Sequence, residues 1–247
     1  MPKIFIAIPT VGNIQAEAAH SLMELTYELG KMKAEGYDFV LGVMPRMIVA
    51  QAREVAVEQA INTKSDYLFF VDDDMILPRN ILRRLLSHDK DIVGSLSWER
   101  YGYHAPNLYA VSTLDKNDND EVSKIKWRNI VRFRDVWDER GLVKADAIGF
   151  GVTLINMRVF KGENAISSPY FMKAINIGED FYFCWEAGQK GWEIFMDCHP
   201  LWQTGHISVP GVLTEDDHVR VATEKNMPVS RTEEEDKMVF TEMTVTI

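Results

Sequence analysis

Three consecutive carboxylates, Asp72-Asp73-Asp74, close an apolar run, Tyr67-Leu68-Phe69-Phe70-Val71, that reads as a buried strand. Adjacent Asp side chains repel one another unless a cation or hydrogen-bond donors sit among them. A hard divalent cation, Mg²⁺ or Mn²⁺, prefers carboxylate oxygens, and such a cation holding phosphate oxygens is the simplest occupant. A solvated acidic turn is the other reading of an Asp triplet. The buried run that ends directly on it favours a site, because ligands in open α/β sheets bind just outside the carboxyl ends of the strands. Three more stretches carry polar or backbone chemistry. Thr10, after the strand-ending Pro9, can hydrogen-bond a base or a ribose. Gly149 and Gly151 interrupt an apolar segment and suggest close backbone approach. Glu179 and Asp180 stand where a helix begins, a position that favours negative charge.

Bulk properties narrow the classes. The net charge of −10 argues against a general nucleic-acid binder, which would present a basic face. It is compatible with an anionic ligand only if a metal or local arginines intervene. Cys184 and Cys198 form no Cys-x-x-Cys pair, so a cysteine-built metal cluster is excluded and a reducing compartment is expected. Met1 to Ile6 enters a strand-like segment without signal-peptide organisation, and no apolar run reaches membrane-spanning length. The expectation is a soluble, cytoplasmic protein.

The elements that must position these residues follow from periodicity. Strands are expected at Lys3–Ile8, Tyr37–Val43, Asp66–Val71 and Asp91–Leu96. Helices are expected at Gln15–Lys33, at Met47–Ile61 with Ile48, Ala52, Val55, Val57 and Ile61 as core positions, and from Pro78 through Ile81, Leu82, Leu85 and Leu86. This alternation predicts an α/β fold, a mostly parallel central sheet with helices on both faces. Beyond Tyr103 the pattern changes. Tyr109–Leu114 reads as a strand, 115–121 as a polar turn, 124–136 as one or two strands, and Ala145–Ile155 as one glycine-interrupted strand. A helix over Phe181–Gln189, a strand over Trp192–Asp197 and a helix over Asp216–Lys225 complete the pattern. His20, His88 and His104 read as ordinary surface or helix residues. One domain over 1–227 is expected, with halves at 1–103 and 104–227. The tail, 228–247, is either disordered or a contact for a second subunit in a homo-oligomer.

In order and spacing, Ile6-Ala7-Ile8-Pro9-Thr10, Phe70-Val71-Asp72-Asp73-Asp74, Gly149-Phe150-Gly151, Gly178-Glu179-Asp180-Phe181 and His206 resemble a GT-A fold glycosyltransferase of the family 2-like, nucleotide-sugar-using kind. The resemblance covers roughly nine-tenths of the chain. It implies a Rossmann-like GT-A sheet with a smaller acceptor-side β region, a divalent cation (Mn²⁺ or Mg²⁺) and a UDP- or GDP-sugar donor. The acceptor is open: a sugar, a lipid-linked group or a protein. Pro9 and Thr10 would line the nucleotide pocket, and Arg53 would lie near the base or phosphate, unless it is a surface residue of its helix. Asp72 would approach the ribose or the metal, Asp73 would bridge the donor, and Asp74 would bind the cation directly. His206 resembles the late histidine that completes the metal shell in some members. His199 competes for that role, and Gly205 beside His206 favours the latter. Asp180 would be the general base that takes the acceptor hydroxyl's proton, with Glu179 filling that role or binding the acceptor. A helix cap is the plain alternative for the pair. Gly149 and Gly151 would admit the donor sugar to the backbone, while Trp98, Arg100, Tyr101 and Trp202 would stack on sugars or contact phosphates.

Two other classes compete. A nucleotidyltransferase acting on a sugar phosphate also needs carboxylates and Mg²⁺, but would bring a basic, glycine-rich loop after the first strand. Here Pro9-Thr10-Val11-Gly12-Asn13 has one glycine and no Lys or Arg. A non-catalytic nucleotide or carbohydrate binder would be supported by loss of Asp72, Asp74 or Asp180, and all three are present.

Overall fold

The computed structural model describes residues 1–113, 125–172, 178–208 and 211–231. The polar turn expected at 115–121 and the tail beyond 231 lie outside the described residues. The first half runs β1 (Lys3–Thr10), α1 (Ala16–Ala34), β2 (Asp38–Pro45), α2 (Val49–Asn62), β3 (Tyr67–Val71), β4 (Met75–Ile76), α3 (Ile81–Ser87) and β5 (Ile92–Ser95). The second runs β6 (Leu108–Thr113), β7 (Lys126–Asn129), β8 (Leu142–Ala145), β9 (Ala147–Ile148), β10 (Val152–Asn156), α4 (Glu179–Gln189), β11 (Ile194–Asp197), β12 (Gly205–Ile207), β13 (Val212–Leu213) and α5 (Glu215–Glu224).

The main sheet has the order β2-β1-β3-β10-β5-β11-β8. β1, β2, β3, β5 and β11 point one way, while β10 and β8 run against them. Two small sheets flank it, β13-β12-β4 and β7-β6-β9. Period-2 alternation along β1 and β3 sends side chains to both faces. Ile4, Ile6, Phe69 and Val71 pack with Leu25 and Leu29 of α1 and with Leu82 and Leu85 of α3. Phe5, Ala7, Leu68 and Phe70 pack with Ala52, Ala56 and Val57 of α2. Both faces are covered, which is why these strands read as continuous apolar runs.

Four expectations are corrected. Ala145–Ile155 is not one strand. The chain splits into β8, β9 and β10, each in a different place, and β10 inserts antiparallel between β3 and β5. The two glycines make room at the entry to β10: a Cβ on Gly149 would lie 2.9 Å from Asn107 Cβ, and one on Gly151 would press on the end of the Met75 side chain. On α2, Ile48 and Ile61 are exposed, and the buried stripe is Ala50, Ala52, Arg53, Ala56, Val57 and Ala60. Small side chains, rather than large ones, seat this helix on β1. α3 begins at Ile81, not Pro78, behind Asn80 in the left-handed region. His88 is buried, and its Nε2 lies 2.8 Å from Asp197 Oδ2.

Asp197, at the end of β11, also accepts from Arg84 Nε at 2.6 Å and from the His199 N–H at 3.0 Å. Past the boundary expected at 227 the chain stays docked. Ser230 is fully buried, and its hydroxyl donates to Glu215, which Arg134 holds through two hydrogen bonds. Removing one member of a buried ion pair strands the other. Asp197→Ala is therefore expected to cost about 3–5 kcal/mol in urea unfolding. An unchanged midpoint would show that this network carries no stability.

Candidate active site

The site forms where the strand ends meet. The triplet follows β3 directly. Antiparallel β10 begins beside it, so Gly149-Phe150-Gly151 lies against the triplet, and the Asp72 N–H donates to the Gly151 carbonyl at 2.8 Å. β12 pairs with β4, and the Ile207 N–H donates to the Asp74 carbonyl at 2.9 Å, which fixes His206 next to Asp74. α2 brings Arg53 and the first turn of α4 brings Glu179 and Asp180. One cleft of about 670 Å³ results. Pro9, Thr10, Arg53, Asp72, Asp73 and Asp74 all line it, as do Gly149, Gly151, Glu179, Asp180 and His206.

Arg53 is 3 % exposed, and its guanidinium lies 5.6 Å from the Phe70 ring and 5.3 Å from the Phe150 ring. Its Nη2 donates to both carboxylate oxygens of Asp72, at 2.8 and 3.1 Å, and its Nε is 3.7 Å from Glu179 Oε1. Arg53 is thus neither a surface residue nor free of protein partners. Burial raises the Asp72 pKa and the Arg53 charge opposes that rise. The neighbouring residue Glu54 ties down the approach to α4, accepting from Ser168 Oγ and from the Tyr170 and Phe171 N–H groups.

Asp74 and His206 share a partner, Arg100, from the loop after β5. Its guanidinium contacts the Asp74 carboxylate, and its Nε donates to His206 Nε2 at 2.8 Å. His206 Nδ1 lies 2.6 Å from the Trp98 carbonyl, which can only accept. These partners assign the proton to Nδ1 and the lone pair to Nε2. Burial lowers the His206 pKa and favours this neutral form. Asp73 Oδ2 and Asp74 Oδ1 are buried without a hydrogen-bond partner. Carboxylate oxygens without partners and an imidazole in one cleft fit a divalent cation in donor chemistry. Among the described residues no group of three or more His, Cys, Asp or Glu converges as a metal cluster. Asp74 and His206 approach to 3.8 Å, and both oxygens of Asp72 face Arg53.

Asp180 lies in the first turn of α4, behind the N-cap Gly178, and lines the cleft. Its Oδ1 accepts the Phe181 N–H at 2.9 Å, and a Cβ at position 178 would fall 2.5 Å from that oxygen, so glycine makes room for the carboxylate. Burial, then the charge of Glu179, raises its pKa to about 6 against the pull of Arg53.

The aromatic expectations are only partly met. Trp98 is 1 % exposed and stacks on His218 at 5.2 Å, so it cannot face a sugar. Trp202 packs into the core beside α1 and α3, with Arg84 over its ring. His199 caps the short turn that begins at Pro200, outside the cleft lining. Reading the sequence missed Asn107. Its backbone bonds Ser97 and Gly149, its Nδ2 donates to Ser97 Oγ, and its Oδ1 accepts from Tyr109. No periodicity marks a single Asn in an irregular loop, so no sequence signal points to it. Asn13 and Gln15 on the cleft wall were missed for the same reason.

No protein-family model and no curated protein sequence matches the chain. Solved structures do. The crystal structure of A197 from STIV superposes with a TM-score of 0.51 at 17 % identity, over 84 % of this chain and 86 % of that one. GalNAc-T7, solved with UDP, GalNAc and Mn²⁺, gives a TM-score of 0.51 at 14 % identity, over 90 % of this chain and 48 % of that one. The chain has the GT-A fold. At this identity the likeness shows the fold alone, and this chain spans about half the length of GalNAc-T7. In this GT-A chain the cleft opens at the carboxyl ends of β1 and β3, where open α/β sheets hold their ligands.

The raised Asp180 pKa has a consequence for stability. The folded state binds this proton more tightly than the unfolded chain does. The resulting stabilisation is complete below the unfolded value near 3.8 and is lost as pH rises through about 6. Asp180→Asn is expected to stabilise the protein at pH 7.5, on the order of 1–3 kcal/mol, and to change little at pH 4. Denaturant midpoints at the two pH values check this, and equal shifts at both would refute it.

Proposed function

We propose that the protein is a metal-dependent glycosyltransferase that moves a sugar from a nucleotide-diphosphate sugar to an acceptor hydroxyl. The observation that carries this reading is the single cleft at the strand ends. Carboxylate oxygens without hydrogen-bond partners, the His206 imidazole and a carboxylate of raised pKa all line it. Pro9 and Thr10, with Asn13 and Gln15, form the wall for the nucleoside. Asp74 and His206 Nε2 would hold a divalent cation, Mn²⁺ or Mg²⁺, with Asp73 a further carboxylate of the same cleft. Such a cation, when bound, supplies neutralisation of the diphosphate leaving group.

Asp180 is the base. Its carboxylate accepts the proton of the acceptor hydroxyl as that oxygen bonds to the anomeric carbon and the diphosphate departs with the glycosidic electron pair. A pKa of about 6 leaves it ionised at neutral pH and basic enough to take a proton. Glu179, held towards Arg53, raises that pKa by its charge rather than touching the reacting atoms. Gly149 and Gly151 line the same cleft, but the room they make is filled by Asn107 and Met75 rather than left to the donor sugar.

The test is nucleotide release from a panel of UDP-, GDP- and dTDP-sugars with Mn²⁺, Mg²⁺ or EDTA. At least one donor is expected to be cleaved in a metal-dependent way, and Asp74→Ala to reduce the rate by about 10²-fold or more. No turnover of any donor, with no donor binding in the presence of metal, would sink the reading. Asp180→Asn is expected to keep donor binding by calorimetry while transfer is lost, and loss of binding would move Asp180 to the donor side. With an acceptor in hand, the rate should climb as pH rises through about 6. A flat profile there would remove Asp180 as the base.

A further inference from the structure

We propose that Arg100 is a built-in competitor for the cation site: it occupies the Asp74–His206 pair when no donor is bound and gives it up when cation and nucleotide enter together. This rests on the metal-dependent reading above. Arg100 takes the two atoms a cation would use, an oxygen of the Asp74 carboxylate and the lone pair of His206 Nε2. A nitrogen lone pair that accepts an N–H cannot also ligate a metal, so the two occupancies exclude each other.

Electrostatics explains why an arginine settles there. Three adjacent carboxylates need positive charge. Arg53 is committed to Asp72, which leaves Asp74 to Arg100. The guanidinium does not serve every oxygen of the triplet, because Asp74 Oδ1 and Asp73 Oδ2 keep no hydrogen-bond partner. A divalent cation can serve those oxygens as well. Arg100 is also free to leave. Its side chain is 39 % exposed, it precedes the exposed Tyr101, and Gly102 turns the loop with φ of 76°. Displaced, it stays on the wall of the same cleft. There its fork matches a diphosphate, which it can hold bidentately.

Mutual exclusion lowers the apparent affinity of the cation by the fraction of protein in which the pair is open. A nucleotide that draws Arg100 away restores it, and linkage makes the effect reciprocal. Arg100 therefore couples the two ligands, so that cation alone binds weakly and cation with nucleotide binds well.

The experiment is titration of Mn²⁺, by calorimetry and by the EPR signal of free Mn²⁺, into wild type, Arg100→Ala and Arg100→Lys, each with and without UDP. Without UDP, Arg100→Ala is expected to bind Mn²⁺ about 5–10-fold more tightly than wild type. UDP should tighten Mn²⁺ in wild type and do so several-fold less in the variant. Arg100→Lys keeps the charge but loses the two-point grip, so it too should bind Mn²⁺ more tightly than wild type. If Lys matches wild type while Ala is tighter, a general field effect replaces the proposal. If Ala is no tighter, Arg100 does not compete and the proposal falls while the metal site stands. If no protein binds Mn²⁺ with or without UDP, the metal reading itself falls with it.

Discussion

Asp72, Asp73, Asp74, Glu179 and Asp180 bring five carboxylates to one cleft, and the buried Arg53–Asp72 ion pair is what lets the fold hold them there. Burying a charge is costly unless it is paired. Arg53 meets that condition from the inside, with its guanidinium between Phe70 and Phe150 and its Nη2 on both oxygens of Asp72. The alanine stripe of α2 follows from the same requirement, because only small side chains let the helix lie close enough for Arg53 to reach the end of β3. The next residue, Glu54, fastens the segment that leads to α4. One helix thus steadies both sides of the cleft.

Compensation from inside ends at Asp72. Asp73 and Asp74 retain oxygens without donors, and the charge that reaches Asp74 comes from Arg100 on a rim loop. This division separates a fixed part of the site from an exchangeable one. The fixed part orients the strand end. On the reading proposed above, the exchangeable part is where a cation and an anionic ligand would replace a side chain. Arg53 also acts on Asp180, but burial and the nearby Glu179 outweigh it and keep its proton affinity high. Two carboxylate environments in one cleft, one able to take a cation and one able to take a proton, separate the two roles a group transfer needs.

The GT-A sheet builds this division through its reversed strand. β10 runs against β3, so its entry, Gly149-Phe150-Gly151, arrives where β3 leaves. The small β13-β12-β4 sheet then carries His206 back to Asp74 across more than a hundred residues of chain. The β7-β6-β9 sheet adds Tyr109, which packs on Phe181 at the start of α4 and bonds Glu99 and Asn107. Tyr109 therefore ties this small sheet and the start of α4 to the main core while its hydroxyl joins a polar network.

The amino-acid order alone determined the buried strands beside the triplet, the helix expected over Phe181–Gln189, which the structure opens two residues earlier at Glu179, and the types of group at the strand end. Each of these is written in local periodicity or in adjacent residues, as Tyr67 to Asp74 illustrates. Tertiary structure decided the rest. Which strand neighbours β3 is a matter of long-range pairing, with β10 entering between β3 and β5, and a one-dimensional pattern does not contain that. The same holds for charge. Asp72 with Arg53, His206 with Arg100 and Asp197 with His88 are separated by 19, 106 and 109 residues, and no periodicity links them. Local propensity acts over a few residues, whereas a buried ion pair exists only after packing has removed the water that would otherwise solvate each partner. Carboxylates at a strand end were legible for that reason, and the arginines that neutralise them were not.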